Sequence, residues 1–77
     1  MQLDGNLAEA FVNRGNIFQS ADKWERALAD YSEAARLKPQ DAYSLYSRGL
    51  VMRALGREAE AAVDIARAKE IEPGIGP

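Results

Sequence analysis

A chain of 77 residues with no cysteine and no histidine has no disulfide or thiolate metal site to reinforce a small core, and lacks the commonest general base and metal ligand. Its 10 basic and 12 acidic residues are interspersed, for a net charge of −2, which argues against a clustered basic surface for nucleic acid. No apolar run approaches the roughly 20 residues that span a bilayer, and the start, Met1 to Phe11, lacks the basic and apolar stretches of a signal peptide, so a soluble, cytoplasmic chain with no membrane partner is expected.

The polar start, with Asp4, Gly5 and Asn6 together, reads as a frayed end with Asp4 or Asn6 as N-cap. A first helix is predicted over Leu7–Ser20. Its apolar positions are Leu7, Ala10, Phe11, the Arg14 stem, Ile17, Phe18 and Ala21. Gly15 sits mid-helix, at a cost of about 1 kcal/mol against alanine, which is accepted where another backbone approaches closely. After a short break at Ser20–Asp22 comes the clearest helix, over Lys23–Leu37. Trp24, Ala27, Leu28, Tyr31, Ala34, Ala35 and Leu37 recur at helical spacing, and Pro39 stops it. Asp41 is placed to cap a third helix over Ala42–Leu55, and Gly56 to end it in a left-handed conformation. A fourth helix follows over Arg57–Ile71, acidic near its start and basic near its end, before Pro73, Gly74, Gly76 and Pro77 end regular structure. Connections this short make consecutive helices antiparallel neighbours. The expectation is all-α, two helical hairpins and no strand, forming a single domain over 1–77.

Residues 8–41 laid over 42–75 match at a fixed period of 34, with seven identities: Ala8/Ala42, Arg14/Arg48, Gly15/Gly49, Ala27/Ala61, Asp30/Asp64, Ala34/Ala68 and Pro39/Pro73. Phe11/Leu45, Ile17/Val51, Phe18/Met52, Tyr31/Ile65 and Leu37/Ile71 keep their character. A fixed period in a helical hairpin marks a stacked repeat. The first copy reads Phe11-x₂-Arg14-Gly15-x₂-Phe18, Ala27-x₃-Tyr31, Pro39. The second reads Leu45-x₂-Arg48-Gly49-x₂-Met52, Ala61-x₃-Ile65, Pro73. Nearly the whole chain thus resembles two tandem tetratricopeptide (TPR) repeats, 8–41 and 42–75. Arg14 and Arg48 depart from the family's leucine. Because Asp30 and Asp64 recur with them, each arginine is predicted to reach its aspartate across the hairpin, worth about 0–1 kcal/mol if the pair is exposed. The last helix is degraded, with Trp24, Leu28 and Ala35 replaced by Glu58, Ala62 and Lys69. That suits a terminal helix turned towards water, although Val63, Ile65 and Ile71 leave apolar surface on it.

The resemblance implies a right-handed stack whose concave face, lined by the first helix of each repeat, binds a peptide or helix of a partner protein. On this sequence that face carries Glu9, Val12, Asn13, Asn16 and Gln19, then Tyr43, Tyr46, Ser47, Leu50 and Arg53. Of these, Val12, Asn13, Asn16, Tyr43, Tyr46, Leu50 and Arg53 are the candidate partner contacts. Tyr43, Tyr46 and Leu50 form an apolar stripe at i, i+3 and i+7. Tyrosine offers large contact area at low entropic cost, but such a stripe equally serves packing between repeats. Asn13 and Asn16 either bond an extended peptide backbone or face water. Some family members clamp the carboxylate of chaperone tails. Here Asn16 fits one clamp position, Val12 stands in place of a lysine and Ser47 in place of an asparagine, which disfavours that ligand. The alternative role is self-assembly, as a homodimer, or membership of a longer TPR array.

Catalysis finds no footing in the residues. Ser20, Ser32, Ser44 and Ser47 have no evident base, and carboxylates such as Asp22/Glu25 and Glu58/Glu60 read as helix starts. No glycine-rich phosphate loop is present, and no loop gathers oxygen ligands for a metal, so no enzyme activity, cofactor or metal is expected.

Overall fold

The computed structural model describes residues 3–76, and every regular element among them is helical. The helices are α1 (Leu3–Ser20), α2 (Trp24–Leu37), α3 (Ala42–Ala54) and α4 (Glu58–Ile71). Helix α1 packs on α2, α3 on α4, and α2 on α3, so two antiparallel hairpins lie side by side with α2 at the seam. The envelope is 38 × 28 × 19 Å; its thin dimension is that of two helix layers, each about 10 Å thick.

The 34-residue period is written into the backbone. Lys23 and Arg57 precede α2 and α4 with nearly the same angles (φ −93°, ψ 73° and φ −95°, ψ 68°). Lys38 and Glu72 end these helices with φ −134°, ψ 82° and φ −136°, ψ 91°. Asp22 and Gly56, also 34 apart, both turn the chain at positive φ, 60° and 82°. Glycine adopts this conformation without strain, as expected for Gly56, and aspartate is among the few other residues that tolerate it.

Helix starts differ from the sequence expectation. Helix α1 begins at Leu3, which puts Asp4 and Asn6 inside it and removes both as N-caps. Extending a helix backwards from a formed nucleus costs far less than starting one. Asp41 does stand at the start of α3, but its carboxylate bonds no backbone N–H and instead accepts the Ser44 hydroxyl at 2.6 Å.

The core forms two clusters that bridge the hairpins. Ala27, Tyr31 and Val51 are fully buried, with Val12, Phe18, Trp24, Leu28 and Leu55 packed around them. Ala35, Ala42, Leu45 and Ala68 form the second, backed by Tyr46, Ile71 and Ile75. Gly15 makes room for a side chain rather than a backbone: a Cβ there would stand 2.9 Å from Cε1 of the Tyr31 ring. At Gly49 the neighbours are Ile65 Cγ1 at 2.6 Å and the Ala61 carbonyl oxygen at 3.2 Å. Ile65 is therefore committed to its own hairpin. Ile71 likewise packs inward, which leaves Val63 as the large exposed residue of α4.

Both arginine–aspartate pairs form across the hairpins. Arg14 Nε and Nη2 donate to Asp30 at 2.9 and 2.8 Å, and Arg48 Nε and Nη2 to Asp64 at 2.6 and 3.0 Å. The aspartates are buried, so these pairs are not the simple surface bridges considered from sequence. Arg14 also lies over the Phe11 and Phe18 rings, 5.8 and 5.9 Å from their centres.

The apolar stripe of α1 is the main surprise. Leu7, Ala10, Ile17 and Ala21 are exposed, while Ala8 and Gly15 turn inward and Phe11 and Phe18 are half-buried. Periodicity identified one face of the helix, but among the described residues no element packs over that face.

Candidate functional site

An open cleft of about 360 Å³ lies between α1 and the start of α3. Ala8, Glu9, Val12, Asn13 and Asn16 of α1 line one wall, Tyr43 of α3 the other, and Lys38 and Asp41 of the α2–α3 connection close an end. The α1 residues share a wall because their spacing repeats the helical turn. Val12 joins wall to core by packing on the Ala27/Tyr31/Val51 cluster. Asn13 is exposed, and Asn16 is half-buried.

Tyr31 of α2 reaches this cleft from beneath. Its ring lies against Gly15, and its hydroxyl stands 2.5 Å from Asn16 Oδ1 and 2.8 Å from the Gln19 carboxamide oxygen. Tyr43 donates its hydroxyl to the same Asn16 oxygen at 3.2 Å. Burial raises the Tyr31 pKa to about 12; the neighbouring Tyr43 and Asp30 add to the rise, and a hydrogen bond from Ser47 opposes it. Tyr31 therefore remains a neutral donor throughout the physiological range.

Four of the seven sequence candidates meet here: Val12, Asn13, Asn16 and Tyr43. The other three do not line the cleft. Tyr46 packs on the Ala35/Ala42/Leu45/Ala68 cluster, and Gly76 crosses so close to its hydroxyl that a Cβ there would collide with it. Leu50 is half-buried and Arg53 exposed, further along α3. The Tyr43–Tyr46–Leu50 stripe is thus divided, with Tyr43 facing the cleft and Tyr46 serving packing. Position 46 is the counterpart of Val12, and a tyrosine there occupies space that valine leaves open. Sequence reasoning passed over Tyr31, Lys38 and Asp41. The available signal was the hydroxyl at Tyr31, where the second copy has Ile65, since a buried tyrosine seeks a polar partner.

The TPR repeat family matches residues 15–56, more than half of the chain, centred on α2, the α2–α3 connection and α3. The chain belongs to the TPR repeat family. A related protein is the probable UDP-N-acetylglucosamine–peptide N-acetylglucosaminyltransferase SPINDLY of Petunia hybrida, 29% identical across all 77 residues. The TPR chain spans 8% of the length of that relative. No helix among its described residues is long and apolar enough to cross a membrane.

Proposed function

We propose that this TPR chain is a non-catalytic protein-interaction module, a single unit of two repeats (8–41 and 42–75), whose α1–α3 cleft takes a segment of a partner protein. The observation that carries the reading is the cleft itself: an apolar step at Val12, a projecting aromatic ring at Tyr43 and carboxamides at Asn13 and Asn16 face one open space. That mixture suits a peptide, because apolar area supplies affinity while a few fixed polar groups set register. Lys38 and Asp41 add one charge of each sign at the end of the cleft. Tyr46, Leu50 and Arg53 come into play with a partner segment long enough to continue along α3.

The test is selection of binding peptides from a random library on the intact chain, followed by amide chemical-shift mapping. Shifts centred on Val12–Asn16 and Tyr43 are expected. Shifts confined to the outer face of α4 would remove the cleft from consideration.

A second reading, self-assembly or a place in a longer array, has its own support. Ile17 is 66% exposed, whereas its counterpart Val51 is completely buried in the cluster that includes Ala27 and Tyr31 of α2. A helix resembling α2, from a second copy or a preceding repeat, would cover Ile17 in the same way. Under this reading, sedimentation gives a dimer mass that Ile17→Glu returns to monomer; a monomer at every concentration counts against the homodimer.

A further inference from the structure

Helices α2 and α4 both pack on α3, and an open furrow of about 290 Å³ runs between them. It shares no lining residue with the α1–α3 cleft. Buried Ala35 and Leu45 give it apolar lining. Three helices bring arginines to it, Arg36 from α2, Arg48 from α3 and Arg67 from α4, and no carboxylate lines it. Charges interspersed along the chain are thus gathered by the fold. The 34-residue period does not account for the gathering, because the counterparts of Arg36 and Arg67 are Glu70 and Glu33, of opposite charge. Arg48 is a fixed donor: Asp64 takes its Nε and Nη2, and Nη1 has only the Ser32 hydroxyl at 3.4 Å, beyond the usual length of such a bond. Arg36 pairs with Glu33 on its own helix, and both are well exposed, so exchanging Glu33 for another carboxylate costs little. Arg67 has no ion-pair partner among the described residues. Three guanidiniums set against Glu33 and Asp64 leave one net positive charge.

We propose that the α2–α4 furrow is a second interaction surface, which takes an acidic segment of a partner protein. A carboxylate side chain of that segment bonds Arg48 Nη1 and Arg67, and apolar groups beside it rest on Ala35 and Leu45. The planar guanidinium fork matches a carboxylate. Arg48 is already ordered by Asp64, so it loses little further side-chain freedom on binding. One surplus positive charge suits one carboxylate. A doubly charged phosphate would be left under-neutralised, and a nucleic-acid backbone needs more cations still. The surface is independent of the cleft and stands or falls apart from it.

The experiment selects peptides from a random library on the full chain and counter-selects them on Arg67→Glu, whose helix content is checked by circular dichroism. The surviving peptides are expected to be rich in aspartate and glutamate. The tightest of them should bind Arg67→Glu about tenfold more weakly and Arg67→Gln, which adds no charge, about threefold more weakly. Replacing its acidic residues by their amides should abolish binding, and its amide shifts should centre on Ser32–Arg36 and Arg48. Lys69→Glu makes the same charge change on α4 outside the furrow, and Tyr43→Ala alters only the cleft, so both should bind within about twofold of the parent. Survivors without an acidic bias, or an equal loss in Lys69→Glu, would overturn the furrow site. Furrow shifts produced by inorganic phosphate and not by the peptide would overturn it in favour of a small-anion site. A loss confined to Tyr43→Ala would overturn it too, and would place the acidic segment in the cleft.

Discussion

Arg48→Met is expected to lower the stability of the chain by about 2–3 kcal/mol, somewhat below the 3–5 kcal/mol of a fully buried pair broken on one side. The cost comes from the partner left behind. Asp64 is 8% exposed and receives both Arg48 bonds, so its carboxylate would lie within the protein without a counter-ion. Arg14→Met should cost less, although Asp30 is buried more deeply than Asp64. The Arg14 side chain is 60% exposed against 23% for Arg48, so water can enter where its guanidinium stood and hydrate the carboxylate. Arg48 is enclosed by the neighbouring hairpin, where Nη1 also reaches the Ser32 hydroxyl at 3.4 Å. Urea unfolding followed by circular dichroism measures both losses. The double variant Arg48→Met/Asp64→Leu should recover most of the Arg48→Met loss, because an apolar pair strands no charge. A larger loss at Arg14 than at Arg48, or no recovery in the double variant, would contradict this account.

Tyr31 gives the chain an alkaline limit. Its pKa in the fold is about 12, raised chiefly by burial from an ordinary value of 10.0. A pKa raised in the folded state means that folding favours the neutral phenol. The associated stability is fully present below pH 10 and is lost as pH rises towards and through 12. Two units correspond to a contribution of order 2 kcal/mol. At pH 8, Tyr31→Phe should be the less stable protein by about 1 kcal/mol, through its missing hydrogen bonds. Above pH 10 the gap should close and then reverse, since phenylalanine has nothing to ionise. Other groups titrate in both proteins and cancel in the difference. Melting temperatures of the pair from pH 8 to pH 11.5 test this, and a constant difference across that range would show that Tyr31 ionises as it does in the unfolded chain.

The sequence alone determined the four helices, the turn at Gly56, the family and the two arginine–aspartate pairs. These were legible because they depend on local rules or on recurrence. A 3.6-residue period marks a helix, proline and glycine punctuate it, and two charged residues that recur together at one spacing must meet again if the hairpin recurs. Helix periodicity also showed that Leu7, Ala10, Ile17 and Ala21 share a face.

Only the tertiary structure decided whether such a face is covered. Val51 and Ile17 occupy the same position in their repeats, but α2 precedes α3, and no described element stands before α1 to bury Ile17. Burial belongs to a pair of surfaces, so one helix's pattern cannot report it. The same reason separates Tyr43 from Tyr46. They lie on one stripe in sequence, yet the close passage of Gly76 and the Leu45 cluster take Tyr46, while Tyr43 is left facing α1. Tyr31 was readable as a core residue from its position in the repeat. That its hydroxyl emerges beneath Asn16 depends on how closely α2 crosses Gly15, a distance set by packing between helices.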